Sequence, residues 1–166
     1  MQITSKIIPC LWFDSQGEDA ARFYTELFPD SRITHIARYG EAGKEVHGRK
    51  PGSVMTVSFE LAGLPFTALN GGPHFKFNEA VSLQIMCDDQ NEVDHYWTAL
   101  TAGGPVEAQQ CGWVKDRYGL SWQVIPKAFL DMMASKDTAA VERAFGAMMN
   151  MKKLDLAALQ RAFNGN

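Results

Sequence analysis

The chain has 166 residues, of which 46% are hydrophobic and 21% are charged. This length allows one ordinary domain or two small halves that share a core, and the composition excludes a disordered chain. The 16 basic and 19 acidic residues give a net charge of −3, so the chain lacks the positive field that gathers phosphates. We therefore expect no nucleic-acid partner.

The N-terminal apolar run, residues 7–13, is too short and too interrupted to be a targeting segment. Pro9 breaks the run, Asp14 closes it, and no small-residue cleavage site follows. Neither a signal peptide nor a membrane span is predicted. The three cysteines, Cys10, Cys87 and Cys111, show no C-x-x-C spacing. An odd number of scattered cysteines is typical of free thiols in a reducing cytoplasm.

The first half of the chain is predicted to fold as one strand, one helix and three further strands. A strand over residues 6–13 precedes a helix that ends at Pro29-Asp30. β-branched or alternating runs then predict strands over residues 31–39, 54–61 and 64–69. The polar, glycine-rich stretch 40–52 is predicted to be an exposed loop, with a lid as the alternative role.

The second half repeats this order, and an internal repeat is strong evidence for architecture. A strand over residues 81–87 precedes a helix that ends at Gly103-Gly104-Pro105, and strands are predicted over residues 106–110, 112–116 and 121–125. A Gly-Leu step, Gly63-Leu64 and then Gly119-Leu120, joins the last two strands of each half as a tight hairpin. The sequence thus predicts an α+β fold of two β-α-β-β-β modules.

Beyond residue 126, strand character ends and helical spacing begins. Apolar residues recur between Val141 and Met149 behind an N-cap at Asp137 or Thr138, and a second helix follows an N-cap at Asp155. The apolar stripe of the second helix must be covered by this domain or by a partner. Its members are Leu156, Leu159 and Phe163. Residues 127–166 are therefore predicted to be a C-terminal helical extension.

Four stretches of the sequence carry a resemblance to a known family. They are residues 21–31 (ARFYTELFPDS), 69–73 (LNGGP), 111–123 (CGWVKDRYGLSWQ) and 149–155 (MNMKKLD). Together they resemble the vicinal oxygen chelate superfamily, which has the glyoxalase/bleomycin-resistance fold, and within it the PhnB-like group labelled as the 3-demethylubiquinone-9 3-methyltransferase domain. The resemblance implies one domain over residues 1–126, with modules of about 1–72 and 79–126 whose curved mixed sheets enclose a cleft. It also implies a homodimer.

Enzymes of this superfamily hold a divalent ion that polarises two neighbouring oxygens of the substrate. The resemblance places the ligand positions at Ile8, Thr67, Ser82 and Gln123 in this chain. None of these is a histidine or a carboxylate, and neutral Thr, Ser and Gln side chains compensate poorly for the dehydration of a divalent ion. We therefore expect no metal and no cofactor, and the alternative metal site combines His74 with Gln123.

Aromatic and amide side chains on or beside the cleft-forming strands favour a binding site for a flat or amphipathic organic molecule. The predicted ligand-binding residues are Trp12, Asn70, Gln84, Cys111, Trp113, Trp122 and Gln123. Core packing is the alternative for each tryptophan, because only one face of a strand points into a cleft. A nucleophilic role for Cys111 needs a nearby base or cation that the sequence does not show.

Three functions from different classes are compatible with the sequence. The favoured function is the binding of a small hydrophobic or aromatic molecule by a metal-free member of the family. The second is a metal-dependent enzyme of glyoxalase or dioxygenase type, and the third is the quinone methyltransferase of the family label. Common S-adenosylmethionine enzymes use a glycine-rich strand-to-helix turn in a parallel sheet, which this sequence does not contain.

Overall fold

The computed structural model describes residues 5–166 as two compact units, with the boundary between Lys76 and Phe77. This boundary falls between the two predicted modules, and the helical extension belongs to the second unit. Residues 1–4, the start of the predicted first module, lie outside the described residues. No helix within residues 5–166 combines the length and the apolar character that crossing a membrane requires.

The first unit is a four-stranded mixed sheet with one long helix. Its elements are β1 (Cys10–Phe13), α1 (Gly17–Leu27), β2 (Arg32–Arg38), α2 (Lys44–His47), β3 (Val54–Leu61) and β4 (Leu64–Asn70). The strand order is β1-β4-β3-β2, with β1 parallel to β4 and the other two pairs antiparallel. The β-α-β-β-β order predicted for the first module is therefore confirmed.

Aromatic rings form the core between the sheet and the helix of the first unit. Phe59 of β3 and Phe66 of β4 are buried and stack at a ring-centroid distance of 5.5 Å. Tyr24 of α1 stacks on Phe59 at 6.5 Å. Burial of rings of this size drives the helix onto the sheet, and the alternate side chains of each strand point to the opposite face.

The segment 40–52 is tied to the first unit, whereas the sequence predicted only an exposed loop. It contains the short helix α2, and the ring of His47 lies 4.5 Å from the ring of Tyr39. The Arg49 guanidinium donates a hydrogen bond to the main-chain carbonyl of Asp14 at 3.1 Å. Most side chains of the segment are exposed, as predicted. The role of a lid stays a prediction.

The second unit combines a three-stranded sheet, one helix packed on that sheet and three C-terminal helices. Its elements are β5 (Ser82–Cys87), α3 (Gln90–Thr101), β6 (Trp113–Lys115), β7 (Ser121–Pro126), α4 (Lys127–Met133), α5 (Thr138–Met148) and α6 (Leu156–Asn164). The strand order is β5-β7-β6, with β5 parallel and β6 antiparallel to β7. Both sheets are thus mixed, and the α+β class is confirmed.

The segment 106–110 departs from the prediction of a strand. Residues Val106–Ala108 form a 3-10 helix, and Gln110 makes one isolated bridge to Trp113. The amides of Ala108 and Gln109 donate to the carbonyls of Pro105 and Val106, which closes local turns and leaves no ladder to a neighbouring strand. The second module therefore has three strands where the first has four.

The Gly-Leu hairpins predicted in both halves are confirmed. Gly63 joins β3 to β4 with φ at 81°, and Gly119 lies in the turn between β6 and β7 with φ at 88°. Both angles fall in the left-handed region, where glycine avoids the steric cost that a Cβ atom imposes.

The helical extension packs on the end of strand β7 around a shared hydrophobic core. The core consists of Ile125, Phe129, Met132, Ala144, Leu154 and Leu159. Two predicted N-caps are confirmed, because the Asp137 carboxylate accepts the Ala140 N–H at 3.0 Å and the Asp155 carboxylate accepts the Ala158 N–H at 2.8 Å. Helix α4 begins directly after β7 with no side-chain cap, so the sequence pattern does not predict it.

The Gln90 side chain connects the extension to helix α3. Its amide nitrogen donates to the carbonyl of Leu154 at 3.1 Å, and its amide oxygen accepts the N–H of Leu156 at 2.8 Å. An ion pair of 2.6 Å between Lys153 and Asp94 lies alongside. The hydrogen bond from Lys153, followed by that from Gln90, lowers the pKa of the Asp94 carboxyl. Leu154 is buried between these contacts.

Candidate functional site

Trp12 forms an aromatic surface on the first unit. Its position in β1 lies between buried Leu11 and Phe13, so its ring is on the opposite face of the sheet. The indole N–H donates to the carbonyl of Gly72 at 2.8 Å. Gly71 allows the ring to lie against the backbone, because a Cβ atom at Gly71 would be 2.2 Å from the indole. Phe75, 65% exposed, contacts the Trp12 ring edge-on at 4.9 Å.

Asn70 does not belong to the same surface, although it was predicted to bind ligand. It pairs with Phe13 in the β-ladder and is 7% exposed, on the face that carries the core. Its amide oxygen accepts the N–H of Gly17 at 2.7 Å, and its amide nitrogen donates to the carbonyl of Val54 at 3.1 Å. Asn70 therefore anchors the first turn of α1 to the sheet, which corrects the prediction.

Three polar side chains of the second unit form a hydrogen-bonded cluster on one face of its sheet, which we call the amide cluster: Ser82, Gln84 and Gln123. The amide nitrogen of Gln123 donates to the Ser82 hydroxyl at 2.8 Å. The amide nitrogen of Gln84 donates to the amide oxygen of Gln123 at 3.3 Å. Both glutamines were predicted ligand-binding residues, whereas Ser82 was named only as a metal position. The structure brings all three together.

Trp113 lies beside the amide cluster. It pairs with Gln123 across β6 and β7, and Gln84 pairs with Gln123 from the other side, so the three side chains share one level of one face. Trp113 is partly exposed. A neutral amide pair next to an indole can hold a ring by its face and a polar atom by a hydrogen bond.

One charged side chain at the neighbouring level of this face, Lys115, is paired within the chain. Lys115 shares the next level of the sheet with Ser121 and Ser82, and its ammonium forms an ion pair with Glu79. The hydrogen bond from Lys115 lowers the pKa of the Glu79 carboxyl. The Ser121 hydroxyl is buried and has no hydrogen-bond partner among the described residues. The face therefore presents mainly neutral hydrogen-bonding groups.

Trp122 is part of the core, which corrects its prediction as a ligand-binding residue. It is 2% exposed and pairs with Leu83 and Val114 on the face opposite the amide cluster. Its indole N–H donates to the Asp116 carboxylate at 2.8 Å. The alternative of core packing, which the sequence left open for each tryptophan, therefore applies to Trp122.

Asp116 is an important buried residue that is absent from the predicted site residues. Its carboxylate is buried and accepts hydrogen bonds from the Tyr118 N–H at 2.8 Å and the Leu120 N–H at 3.1 Å, besides that from Trp122. An aspartate whose side chain accepts the N–H two residues later forms an Asx turn. An aspartate at the start of the predicted β6–β7 hairpin was therefore the sequence signal for this role. The role of Asp116 is to hold the β6–β7 hairpin.

The three cysteines differ in environment. Burial raises the pKa of the Cys87 thiol to about 12, and the nearby carboxylate of Glu92 acts in the same direction. Burial also raises the pKa of Cys10. Cys111 is partly exposed, and its sulfur contacts the sulfur of Met149 in the extension. Thiolate chemistry is therefore disfavoured at Cys10 and Cys87.

The positions that the superfamily uses for a divalent ion do not fit a metal in this chain. Ile8 and Thr67 of the first unit offer no charged ligand. In the second unit both ends of the Gln123 amide are already hydrogen-bonded, to Ser82 and Gln84. Within residues 5–166 no three His, Cys, Asp or Glu side chains lie close enough together to hold a metal ion. His74, the alternative ligand, is exposed in the first unit.

Comparison with known proteins identifies the family. The family model described as 3-demethylubiquinone-9 3-methyltransferase matches residues 5–125. The chain belongs to this family, the PhnB-like group. A PhnB protein from Bacillus cereus, provisionally named a 3-demethylubiquinone-9 3-methyltransferase, is similar to this chain. The two sequences are 32% identical, and the two structures superpose with a TM-score of 0.65. The match covers 74% of this chain and 99% of the Bacillus cereus chain. No curated protein matches the chain.

More distant structures are also similar to this PhnB-like chain. A protein from Pseudomonas aeruginosa is 18% identical with a TM-score of 0.56, over 75% of this chain and 98% of that one, a likeness of fold alone. The fosfomycin resistance protein FosX from Listeria monocytogenes is 13% identical with a TM-score of 0.47, over 75% of this chain and 94% of that one. The family match ends at residue 125, so the stretch 149–155 lies outside it.

Proposed function

We propose that this PhnB-like protein binds a small, uncharged aromatic or hydrophobic molecule without a metal ion. The observation that carries the proposal is the amide cluster beside Trp113. An indole supplies apolar area, while amide and hydroxyl groups orient a ligand without the cost of burying a charge. The ion pair of Lys115 with Glu79 supports an uncharged ligand, because it leaves no lone charge at the next level of the sheet.

The metal-dependent glyoxalase or dioxygenase alternative requires ligands that this chain does not offer. The amide oxygen of Gln123 already accepts a hydrogen bond from Gln84, and no carboxylate takes part in the cluster. Hard divalent ions prefer carboxylate and carbonyl oxygens that are free to coordinate. The donor set therefore favours the metal-free function.

The methyltransferase name of the family supports a second candidate function, that of the quinone methyltransferase. Neither sheet has the all-parallel strand arrangement that carries the common S-adenosylmethionine site. A direct measurement separates the two candidates: isothermal titration with S-adenosylmethionine should give no heat of binding. The cytoplasmic homodimer stays a prediction from the thiols and the family resemblance.

Ligand-observed NMR tests the proposal. The full chain is mixed with flat, uncharged ring compounds (coumarin, quinoline and indole) and with carboxylated counterparts of the same rings. We expect saturation transfer to members of the uncharged set. Binding should weaken in Gln123→Ala and Trp113→Leu, because the first removes the orienting amide and the second removes the ring surface.

Gln160→Ala is the matched control, because Gln160 is an exposed amide in α6 of the same unit. This variant should bind like the wild type. Binding restricted to the carboxylated compounds, or equal binding by wild type and Gln123→Ala, would contradict the proposal.

A further inference from the structure

The amide cluster leaves some of its own hydrogen-bonding groups unused. Gln84 is exposed, and no group within residues 5–166 donates to its amide oxygen. Its amide nitrogen uses one N–H on Gln123, and Gln123 uses one N–H on Ser82, so each nitrogen keeps a second N–H. The buried hydroxyl of Ser121, on the same face, is also without a partner among these residues. The cluster therefore offers a ligand one free carbonyl and two free N–H groups.

The free donor and the free acceptor of Gln84 do not depend on the direction of the hydrogen bonds. Rotation of both amides by half a turn would let Gln123 donate to Gln84 and Ser82 donate to Gln123. Gln84 would then still have an open lone pair on its oxygen and free N–H groups on its nitrogen. In either arrangement the exposed end of the cluster is an amide that can accept and donate at once.

The level of the sheet that carries this amide has room for a flat ring. Trp113 and Gln84 flank Gln123 from opposite sides, and two strand spacings separate them by about 10 Å. A ring above Gln123 can thus contact the indole with its apolar part and the Gln84 amide with its polar edge. Met86, 36% exposed on the same face of β5, adds a thioether, which contacts aromatic rings favourably.

Hydrogen-bond complementarity restricts the polar edge of that ring. A ligand with acceptors only, such as a quinone or a lactone, leaves the Gln84 carbonyl unpaired, and a ligand with donors only leaves the N–H groups unpaired. Each group that loses water without gaining a partner weakens binding. A carbonyl next to an N–H satisfies both sides of the amide without a charge. The pairing of Lys115 with Glu79 agrees with an uncharged edge of this kind.

We infer that the amide cluster binds a flat lactam, a ring in which a carbonyl group adjoins an N–H group. The lactam N–H donates to the amide oxygen of Gln84, and the lactam carbonyl accepts an N–H from Gln84 or Gln123. The apolar part of the ring lies against Trp113. No covalent bond forms or breaks. This inference rests on the proposed function, because it names the class of uncharged ring that the same site binds.

Three compounds of nearly the same shape test the inference. 2-Quinolone carries the lactam, coumarin has a ring oxygen in place of the N–H, and N-methyl-2-quinolone has a methyl group in place of the hydrogen. Isothermal titration of the full chain gives the Kd of each compound. We expect 2-quinolone to bind about 2–10-fold more tightly than the other two, which is the range that one net hydrogen bond gives.

A variant of Gln84 connects this preference to the cluster. Gln84→Leu removes the amide and should bring the ratio of the coumarin and 2-quinolone Kd values close to one. Gln160→Leu is the matched control, because Gln160 is an exposed amide in α6 of the same unit, and it should keep the wild-type ratio. Thermal melts establish that both variants fold.

The outcomes separate this inference from the proposed function on which it rests. Coumarin binding as tightly as 2-quinolone, or an undiminished preference in Gln84→Leu, would overturn the lactam inference and leave the proposed function standing. Binding of quinoline or indole without any binding of 2-quinolone would have the same meaning. Absence of binding by all of these rings would overturn both.

Discussion

The two sheet-forming modules differ in how they complete their sheets. In the first, strand β2 runs along β3 from Arg32 to Arg38. In the second, a 3-10 helix takes the place of that strand, and β6 has only three residues. The extension then bonds to the backbone just before β6, at Cys111 and Gly112. In the second module, which lacks one strand, the extension thus supplies main-chain hydrogen-bond acceptors from outside the repeat.

The modules also use their amide side chains differently. Asn70 at the end of β4 faces the core and anchors helix α1. Gln123 in β7 faces away from the core and joins Ser82 and Gln84. The Asn70 amide therefore has a structural role, whereas the Gln123 amide does not anchor a helix. Amide residues on the last strand of each module therefore have opposite roles. A shift of one residue in strand register moves a side chain to the other face of the sheet.

The largest effect is expected where the extension packs on the rest of the second unit. Leu154→Ala removes a buried side chain from the core of the extension and should lower the free energy of unfolding by about 3–5 kcal/mol. Urea denaturation followed by circular dichroism measures the change. Leu64→Ala, at an exposed leucine in the hairpin of the first unit, is the control and should stay near wild type. Equal stability of the two variants would mean that the extension is not an integral part of the second unit.

Removal of the Asp116 carboxylate should have the next largest effect. Asp116→Ala leaves three donors without their acceptor, two main-chain amides and the Trp122 indole. Because an orphaned buried donor costs about 1–3 kcal/mol, we expect a total loss of about 3 kcal/mol in the same denaturation experiment. Asp131→Ala, at an exposed aspartate of α4, is the matched control. A loss no larger than in the control would show that the β6–β7 hairpin holds without its carboxylate.

Asn70→Ala and Gln123→Ala together test the contrast between the two amides. Asn70→Ala should lower the free energy of unfolding by about 2 kcal/mol, because the Gly17 N–H and the Val54 carbonyl lose a buried partner. Gln123→Ala should change it by only about 0.5 kcal/mol, since its partners are partly exposed. Thermal denaturation of both variants gives the comparison, and the reverse order of stabilities would contradict the assigned roles.

The smallest effect concerns pH and the ion pair of the extension. The pKa of Asp94 lies below its ordinary value of 3.8 because Lys153 and Gln90 donate to it. The stabilisation is therefore present above pH 3.8 and is lost as the pH falls through the lower folded-state pKa. Asp94→Asn should melt slightly below wild type at pH 7, and the difference should shrink towards pH 2. A melting difference that is constant with pH would exclude this origin.

Much of the fold could be predicted because periodicity and turn residues act locally. The alternating runs predicted β3 and β4, and Asp137 and Asp155 predicted the helix starts. The prediction of a strand over residues 106–110 was wrong because a strand needs a pairing partner elsewhere in the chain. A short β-branched run does not show whether that partner exists. The Trp122 and Asn70 predictions failed for a related reason: residue type suggested a site, whereas strand register decides the face.

The most direct test of metal-free binding is the metal content and metal response of the purified full chain. Elemental analysis comes first, followed by melting curves with Zn²⁺, Ni²⁺, Mn²⁺ or Fe²⁺ for wild type, Gln123→Ala and Cys111→Ser. We predict that no divalent metal co-purifies in stoichiometric amount and that no divalent ion stabilises the wild type more than Gln123→Ala. One divalent ion per chain, lost in Gln123→Ala and retained in Cys111→Ser, would contradict the metal-free function.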